Sequence, residues 1–339
     1  MEDISTAPLE HYLRTLAELK GSDLLLVVGA PPTIRVDGEL RPIEGEPVLT
    51  PAFNDDLVHA ALGPELSLRL KEERDIDFSF GWEDHARVRG NAFYQRGTVG
   101  LALRLIPSDI PSFAELGLPP IVEELANATH GLVLVTGPTG SGKTTTLAAM
   151  VKYISLHRAC HILTIEDPIE FHHAHSRSIV TQREVGSDSE SFARALRSAL
   201  REDPDVLLVG EMRDMESIQA ALNIAETGHL VLATLHTNDA AQAVNRIVDV
   251  FPPESQAQIR VQVAASLVGV IAQRLLPRID GGRVAAFEIL MATPAVRTLI
   301  RDSKAEQLTN VISTGQRQGM VSLAASTQKL VEAGIVAPI

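Results

Sequence analysis

The sequence predicts an α/β protein in two parts, a small α+β domain first and a larger domain built on a mostly parallel sheet. Three observations carry this. Short apolar, β-branched runs at residues 132–135, 161–165, 206–209 and 230–233 alternate with stretches of helical periodicity, as strands buried on both faces of a parallel sheet do. A glycine-rich segment separates the first of these runs from a helix-like stretch at 145–154. Residues 106–112 include Pro107 and Pro111, which discourage helix and central strand alike, and the pattern changes across them. The predicted division is a domain over 1–106, a linker over 107–118 and a second domain over 119–339.

In the first domain Leu9, Tyr12, Leu13, Leu16 and Leu19 recur at helical spacing, and Gly21, Ser22 and Asp23 end that helix. Strands follow at 24–28 and 33–36, joined through Ala30, Pro31 and Pro32, with Asp37 and Gly38 as a turn signal. A second helix is predicted over 53–72. Strands over 75–80 and 85–93 flank Gly81, Trp82, Glu83 and Asp84, and one more over 98–105 completes the sheet. In the second domain Phe192, Leu196 and Ala199 share one helical face. Beyond Phe251, Pro252 and Pro253 the chain reads as mostly helical to its end, with Gly281 and Gly282 as a hairpin turn.

The glycine-rich segment is Gly137, Pro138, Thr139, Gly140, Ser141, Gly142, Lys143 and Thr144. It fits G-x-x-x-x-G-K-[ST] at every required position and lies between a strand and a helix, the context that pattern needs. Such a loop wraps backbone N–H groups around nucleotide phosphates and directs the positive end of the following helix at them. Lys143 would reach the β- and γ-phosphates, and the Thr144 hydroxyl would ligate Mg²⁺. The pattern predicts nucleotide binding.

Composition bounds the setting. Hydrophobic residues make up 45% and charged residues 22% of the 339, ordinary for a globular protein. No apolar run reaches the roughly 20 residues that span a bilayer, and Met1 to Ser5 open no secretory signal pattern. Cys160 is the only cysteine, so an internal disulfide and a multi-cysteine metal site are both excluded. These features point to the cytoplasm. A net charge of −13 argues against nucleic acid as the main partner, because displacing counterions from phosphates needs basic surface.

Hydrolysis needs carboxylates as well as a loop. The run from Asp205 to Val209 ends in Gly210 and Glu211, which puts Glu211 at a strand's carboxyl end, where open α/β sheets bind ligands. Glu166, Asp167 and Glu170 crowd five residues after another run, and would repel one another unless a cation or solvent screened them. His172, His173 and His175 have no carboxylate or cysteine at a spacing that would complete a zinc set.

Four segments together resemble the type II/IV secretion ATPase superfamily, and within it the PilT family of type IV pilus retraction ATPases. They are Gly137 to Thr144 (Walker A), Ile165 to Phe171 (the Asp box), Val209 to Asp214 (Walker B), and Thr227-Gly-His229 through Thr234-Leu-His236-Thr237 (the His box). The likeness extends to Ile34–Gly38 and Asn91–Phe93 in the first half. Leu25 stands where the family commonly has histidine.

The resemblance implies a RecA-like ATPase core behind a PAS-like N-terminal domain, with ATP and Mg²⁺ as cofactors. It implies that Glu211 holds Mg²⁺ or its water, that Glu170 polarises the attacking water, and that His229 and His236 sense the γ-phosphate. Arg89, Arg96 and Arg104 would bring phosphate contacts from the first domain, with Arg87 and Arg201 as further candidates. It implies a homo-hexamer, cytoplasmic and peripheral at the inner membrane, docked without membrane insertion on a platform protein and acting indirectly on pilin. Relatives that assemble pili usually carry a longer N-terminal region and a tetracysteine zinc motif, which one cysteine cannot build. Residues Ala295 to Asp302 resemble a retraction signature. Pilus retraction is therefore expected; an assembly or secretion ATPase, a nucleotide-switched scaffold with little turnover and a nucleic-acid translocase are the alternatives.

Overall fold

The computed structural model describes residues 7–36, 38–82, 86–106 and 109–338. By their contacts these fall into two compact units, Met1–Asp109 with Glu170–His172, and Ile110–Ile169 with His173–Ile339. Asp37, the turn residues Glu83 and Asp84, the strand start at His85, and Pro107 and Ser108 of the expected linker lie outside the described residues.

In the first unit, helix α1 (Ala7–Glu18) buries Leu9, Tyr12, Leu13 and Leu16, while Leu19 lies past its end and is 53% exposed. Strands β1 (Asp23–Val27), β2 (Thr33–Val36) and β3 (Glu39–Pro42) precede helix α2 (Pro51–Glu73), and β4 (Asp75–Trp82), β5 (Ala86–Gln95) and β6 (Thr98–Ile106) follow it. They form one antiparallel sheet in the order β3-β2-β1-β6-β5-β4. Alternation sets its two faces. Leu24, Leu26, Ile34, Ile76, Phe78, Val88, Leu101 and Leu103 join α1 and α2 in the core, and the residues between them form the opposite face.

Three departures from the sequence reading have plain causes. Strand β3 was not foreseen because all four of its residues are exposed, leaving no apolar alternation to detect. Helix α2 breaks at Gly63 (φ 69°), just before Pro64. Gly81 and Trp82 extend β4 instead of turning.

The second unit holds α3 (Ile121–Ala126), β7 (Gly131–Thr136), α4 (Lys143–His157), β8 (His161–Glu166), β9 (Ile179–Glu184), α5 (Phe192–Ala199), β10 (Val206–Val209), α6 (Met215–Glu226) and β11 (Leu230–Leu235). Then come α7 (Ala240–Asp249), α8 (Pro253–Ser266), β12 (Leu267–Pro277), β13 (Arg283–Met291), α9 (Pro294–Arg301), α10 (Leu308–Thr314) and α11 (Leu323–Glu332). The sheet order is β13-β12-β7-β11-β10-β8-β9, parallel except for the β12–β13 pair. Val133 and Val135 face one core with α3 and α4. Leu132 and Leu134 face the other, where α5 to α10 pack.

The stretch expected to be helical instead contains the hairpin β12–β13, turned at Gly281 (φ 94°) and Gly282 (φ 76°). Over residues 269–272 strand β12 is covered on both sides by β7 and β13, and a continuous apolar run of that kind has no period that separates strand from helix. Strand β9 was missed for the opposite reason. It is an edge strand with Thr181, Gln182 and Arg183 in its middle and Ile179 63% exposed.

Helix α9 seats Val296 and Ile300 in the core, with Leu299 against them. Arg297 meets a neighbouring segment: its Nη1 donates to the carbonyls of Ala264 and Ala265 (2.7 Å to the latter) at the end of α8. Burial, then the nearby Arg301, pull its pKa down from the usual arginine value. Arg301 is exposed and donates only to Thr298 Oγ1 among the described residues. Arg297→Ala should therefore cost about 1–3 kcal/mol by stranding two helix-end carbonyls. Arg301→Ala should leave the thermal midpoint within a degree or two of wild type, and a melting comparison of the two variants checks both.

Candidate nucleotide site

The loop after β7 is shaped by packing from behind. A Cβ on Gly137 would lie 2.4 Å from the Gln273 carbonyl oxygen and 2.5 Å from Ser141 Oγ, so only glycine fits. Helix α4 begins at Lys143 behind Gly142, which offers no side-chain cap. The first-turn N–H groups of α4 and the positive end of its dipole thus face the loop. Lys143 is buried, and its ammonium donates to the carbonyls of Gly137 (2.9 Å) and Pro138 (3.1 Å). Pro138, Thr139 and Gly140 form the exposed rim, Ser141 is buried beneath it, and Thr144 is half-buried in the first turn of α4.

Glu211 follows β10, two strands from the loop in the sheet order and so about 10 Å across. Gly210 is hydrogen-bonded to Ile165 through its N–H (2.8 Å), and it lets Glu211 leave the sheet close beside Glu166. The Glu211 carboxylate is gripped from two sides, by Arg213 Nη2 at 2.7 Å and by His236 Nε2 at 3.1 Å. Partial burial pushes its pKa up, but the Arg213 hydrogen bond and the charges of His236 and Arg213 outweigh it and hold the carboxyl below its ordinary range. His236 comes from the end of β11. Thr136 Oγ1, at the end of β7, fastens that end by donating to Leu235 O (3.1 Å) and accepting from Thr237 N–H (3.0 Å). The loop, Glu211 and His236 therefore share the carboxyl edge of three adjacent parallel strands.

His229 does not join them. It precedes β11, and its carbonyl accepts from the N–H of Gly131, the first residue of β7. A six-residue strand puts it about 20 Å from the carboxyl edge, where its Nδ1 contacts Ile224 O and Thr227 Oγ1. The two histidines flank one strand, and the strand's length is what separates them. Glu166 is buried and accepts from Thr164 Oγ1 (2.6 Å) and Gln182 Nε2 (3.2 Å). Glu170 is exposed and belongs to the first unit.

Within the first unit, Arg89 of β5 and Arg104 of β6 are direct cross-strand partners on the face away from the core. Arg104 Nε donates to Asp23 Oδ1 (2.8 Å), and Arg35 lies 3.6 Å from the same carboxylate. Asp77 is engaged by Asn91 (3.0 Å). Arg96 stands apart from the pair. With Gly97 it makes the two-residue turn between β5 and β6 at φ 49°, roughly 25 Å along the strands from Arg89.

Residues 69–281 match the family described as Type II/IV secretion system protein. The chain is also 48% identical over 328 residues to the type IV pilus retraction ATPase PilT of Pseudomonas aeruginosa, covering 97% of this chain and 95% of that one. It belongs to this family. A twitching motility protein of Neisseria gonorrhoeae is 49% identical over 308 residues, or 91% of this chain and 82% of its own. A crystal structure of the pilus retraction motor PilT with bound ADP is similar at a TM-score of 0.85 and 46% identity, with 94% and 96% of the two chains covered. The chain is thus a close homologue of PilT, and the predicted α/β class, an antiparallel-sheet domain before a mostly parallel core, holds for the family member.

Two residues of the site were not foreseen. Arg213 was read only as part of the Walker B segment, although a cation two residues after Glu211 in a loop is placed to meet it. Gln273, against the back of the phosphate loop, was lost in the stretch read as helical; a lone amide closing the apolar run 267–272 was the available signal.

Proposed function

We propose that this chain is an ATP-hydrolysing motor that drives type IV pilus retraction by pilin disassembly. The observation that carries it is the carboxyl edge of β7, β10 and β11, where a phosphate loop stands beside a carboxylate held ionised between a histidine and an arginine. That edge supplies the positioning and charge on which phosphoryl transfer depends.

In this reading Gly137, Gly140, Gly142 and the start of α4 cradle the phosphates, and Lys143 turns from the loop carbonyls to the β/γ-phosphates. The glycine cradle and the hydroxyl and carboxylate donors fit a nucleotide carried with Mg²⁺; Thr144 and Glu211 would hold the ion, whose charge would neutralise the phosphates. His236 touches Glu211, so a change at the phosphates can reach the start of α7 through Thr237. Glu170 would orient the attacking water. His229, at the far edge, would act only through contacts beyond its own chain's loop.

Arg89 and Arg104 support assembly. Like charges opposite each other on a sheet destabilise it unless an anion is shared, and Asp23 engages Arg104 and Arg35 but not Arg89. The pair suits a phosphate held by another copy, in a hexameric ring that is cytoplasmic and docked on an inner-membrane platform protein. Among the described residues no helix is long and apolar enough to cross a membrane. Deleting the gene should leave cells with excess surface pili and no twitching, and complementation with Lys143→Ala should not restore retraction. Bald cells would instead assign the motor to assembly.

A further inference from the structure

The geometry points to Gln273 as the positioning residue of the phosphate loop. It lies outside the motif by 130 residues, yet topology brings the two together. The parallel register of β12 on β7 ends at Ala272 opposite Thr136, so Gln273 comes level with Gly137, where the loop begins.

Gln273 is 2% exposed, and both ends of its amide are used. Its Nε2 donates to the Ser141 carbonyl (2.6 Å), and its Oε1 accepts from Thr146 Oγ1 (2.9 Å) in the first turn of α4. Its own carbonyl abuts Gly137, and a Cβ on Gly142 would lie 3.0 Å from its Nε2. One residue therefore touches the loop at its start, near its end and at the helix it feeds.

The consequence follows from peptide geometry. A trans peptide is planar, with C=O and N–H pointing in opposite directions. Holding the Ser141 carbonyl toward β12 therefore turns the Gly142 N–H away from β12, into the concave side of the loop. A segment with three glycines at positive φ, Gly137, Gly140 and Gly142, loses much backbone freedom when it orders. A side chain that has already fixed one of its peptide planes lowers that cost before any phosphate arrives. Gln273 is not placed to touch the reacting atoms; it acts through Ser141, Gly142 and Thr146.

This rests on the reading of the loop as a nucleotide site, and the test separates the two. Equilibrium binding of a fluorescent ADP analogue and steady-state ATPase kinetics are measured on the full chain and its variants. Gln273→Met keeps length and burial but removes both hydrogen bonds. It should raise Kd and KM about tenfold while kcat stays within about threefold, the pattern of lost uniform binding. Thr146→Val should move Kd the same way by a smaller factor, and Thr146→Ser, which keeps the hydroxyl, should restore it. If Gln273→Met fails to fold, the Thr146 pair decides alone. Unchanged affinity in both Gln273→Met and Thr146→Val overturns the inference, as does a kcat loss at constant KM. A wild-type chain that binds no ADP analogue removes the nucleotide site itself.

Discussion

Glu211→Ala is expected to cut ATP turnover by about 10²-fold or more while ATP still binds within a few-fold of wild type. The loop and Lys143 make the binding contacts, and Glu211 lies two strands away, bonded to Arg213 and His236 rather than to the loop. Removing it deletes the negative charge that pairs with Arg213, accepts from His236 and would hold the metal that accompanies the nucleotide. Lys143→Ala should differ, losing binding and turnover together, because its ammonium belongs to the β/γ-phosphate site. Glu211→Gln should fail like alanine, since shape without charge cannot hold a divalent ion. The pH dependence follows from the depressed carboxyl. Glu211 stays ionised across neutrality, and its ion pairs contribute stability above the ordinary carboxylate range that is lost only as the pH falls through the lowered value. Acid inactivation traced to Glu211 should therefore begin below that range. Phosphate release and nucleotide binding measured on the three variants would test this, and near-normal kcat in both Glu211 variants would show that the carboxylate is misassigned.

How much was legible depended on whether a feature had its own local pattern. The loop, its flanking strand and helix, and the placement of Glu211 at a strand end were all readable, because glycine spacing and a buried β-branched run are local signals. Strand β3 carries no such signal, since its residues are all exposed, and β12 carries an ambiguous one. His229 and His236 flank one short strand and look close in sequence, yet they stand at opposite ends of that strand. Arg96 was grouped with Arg89 and Arg104 for the same reason, and the hairpin carries it to the far end. Gln273 needed topology: β12 had to be placed beside β7 before an amide closing an apolar run could be seen to meet the loop. Which segment Arg297 meets likewise needed the fold, since only the packing of α9 against α8 puts its guanidinium on two carbonyls.

Arg104→Ala carries the second large effect, a loss of turnover on the order of 10²-fold or more with ATP binding largely kept. Its position favours this outcome over a folding defect. The side chain is 65% exposed on the face away from the core, and Asp23 would keep Arg35 as a partner once Arg104 is gone. Among the described residues the Asp23 bond engages only Nε, which leaves the terminal nitrogens for another anion. A planar fork held in this way can meet a phosphate with two bonds, and lysine cannot reproduce it, so Arg104→Lys should recover little. Arg89→Ala should lower kcat in the same direction. Arg96→Ala should keep kcat within about twofold, because the turn holds it far from the pair. If these arginines act on a nucleotide held by another copy of the chain, activity per protomer must also rise with protein concentration as rings form. Mixing Arg104→Ala with Lys143→Ala protomers supplies the decisive measurement. A shared site predicts partial recovery of turnover, since an intact loop and an intact arginine can meet at some interfaces, whereas a site complete within one chain predicts none.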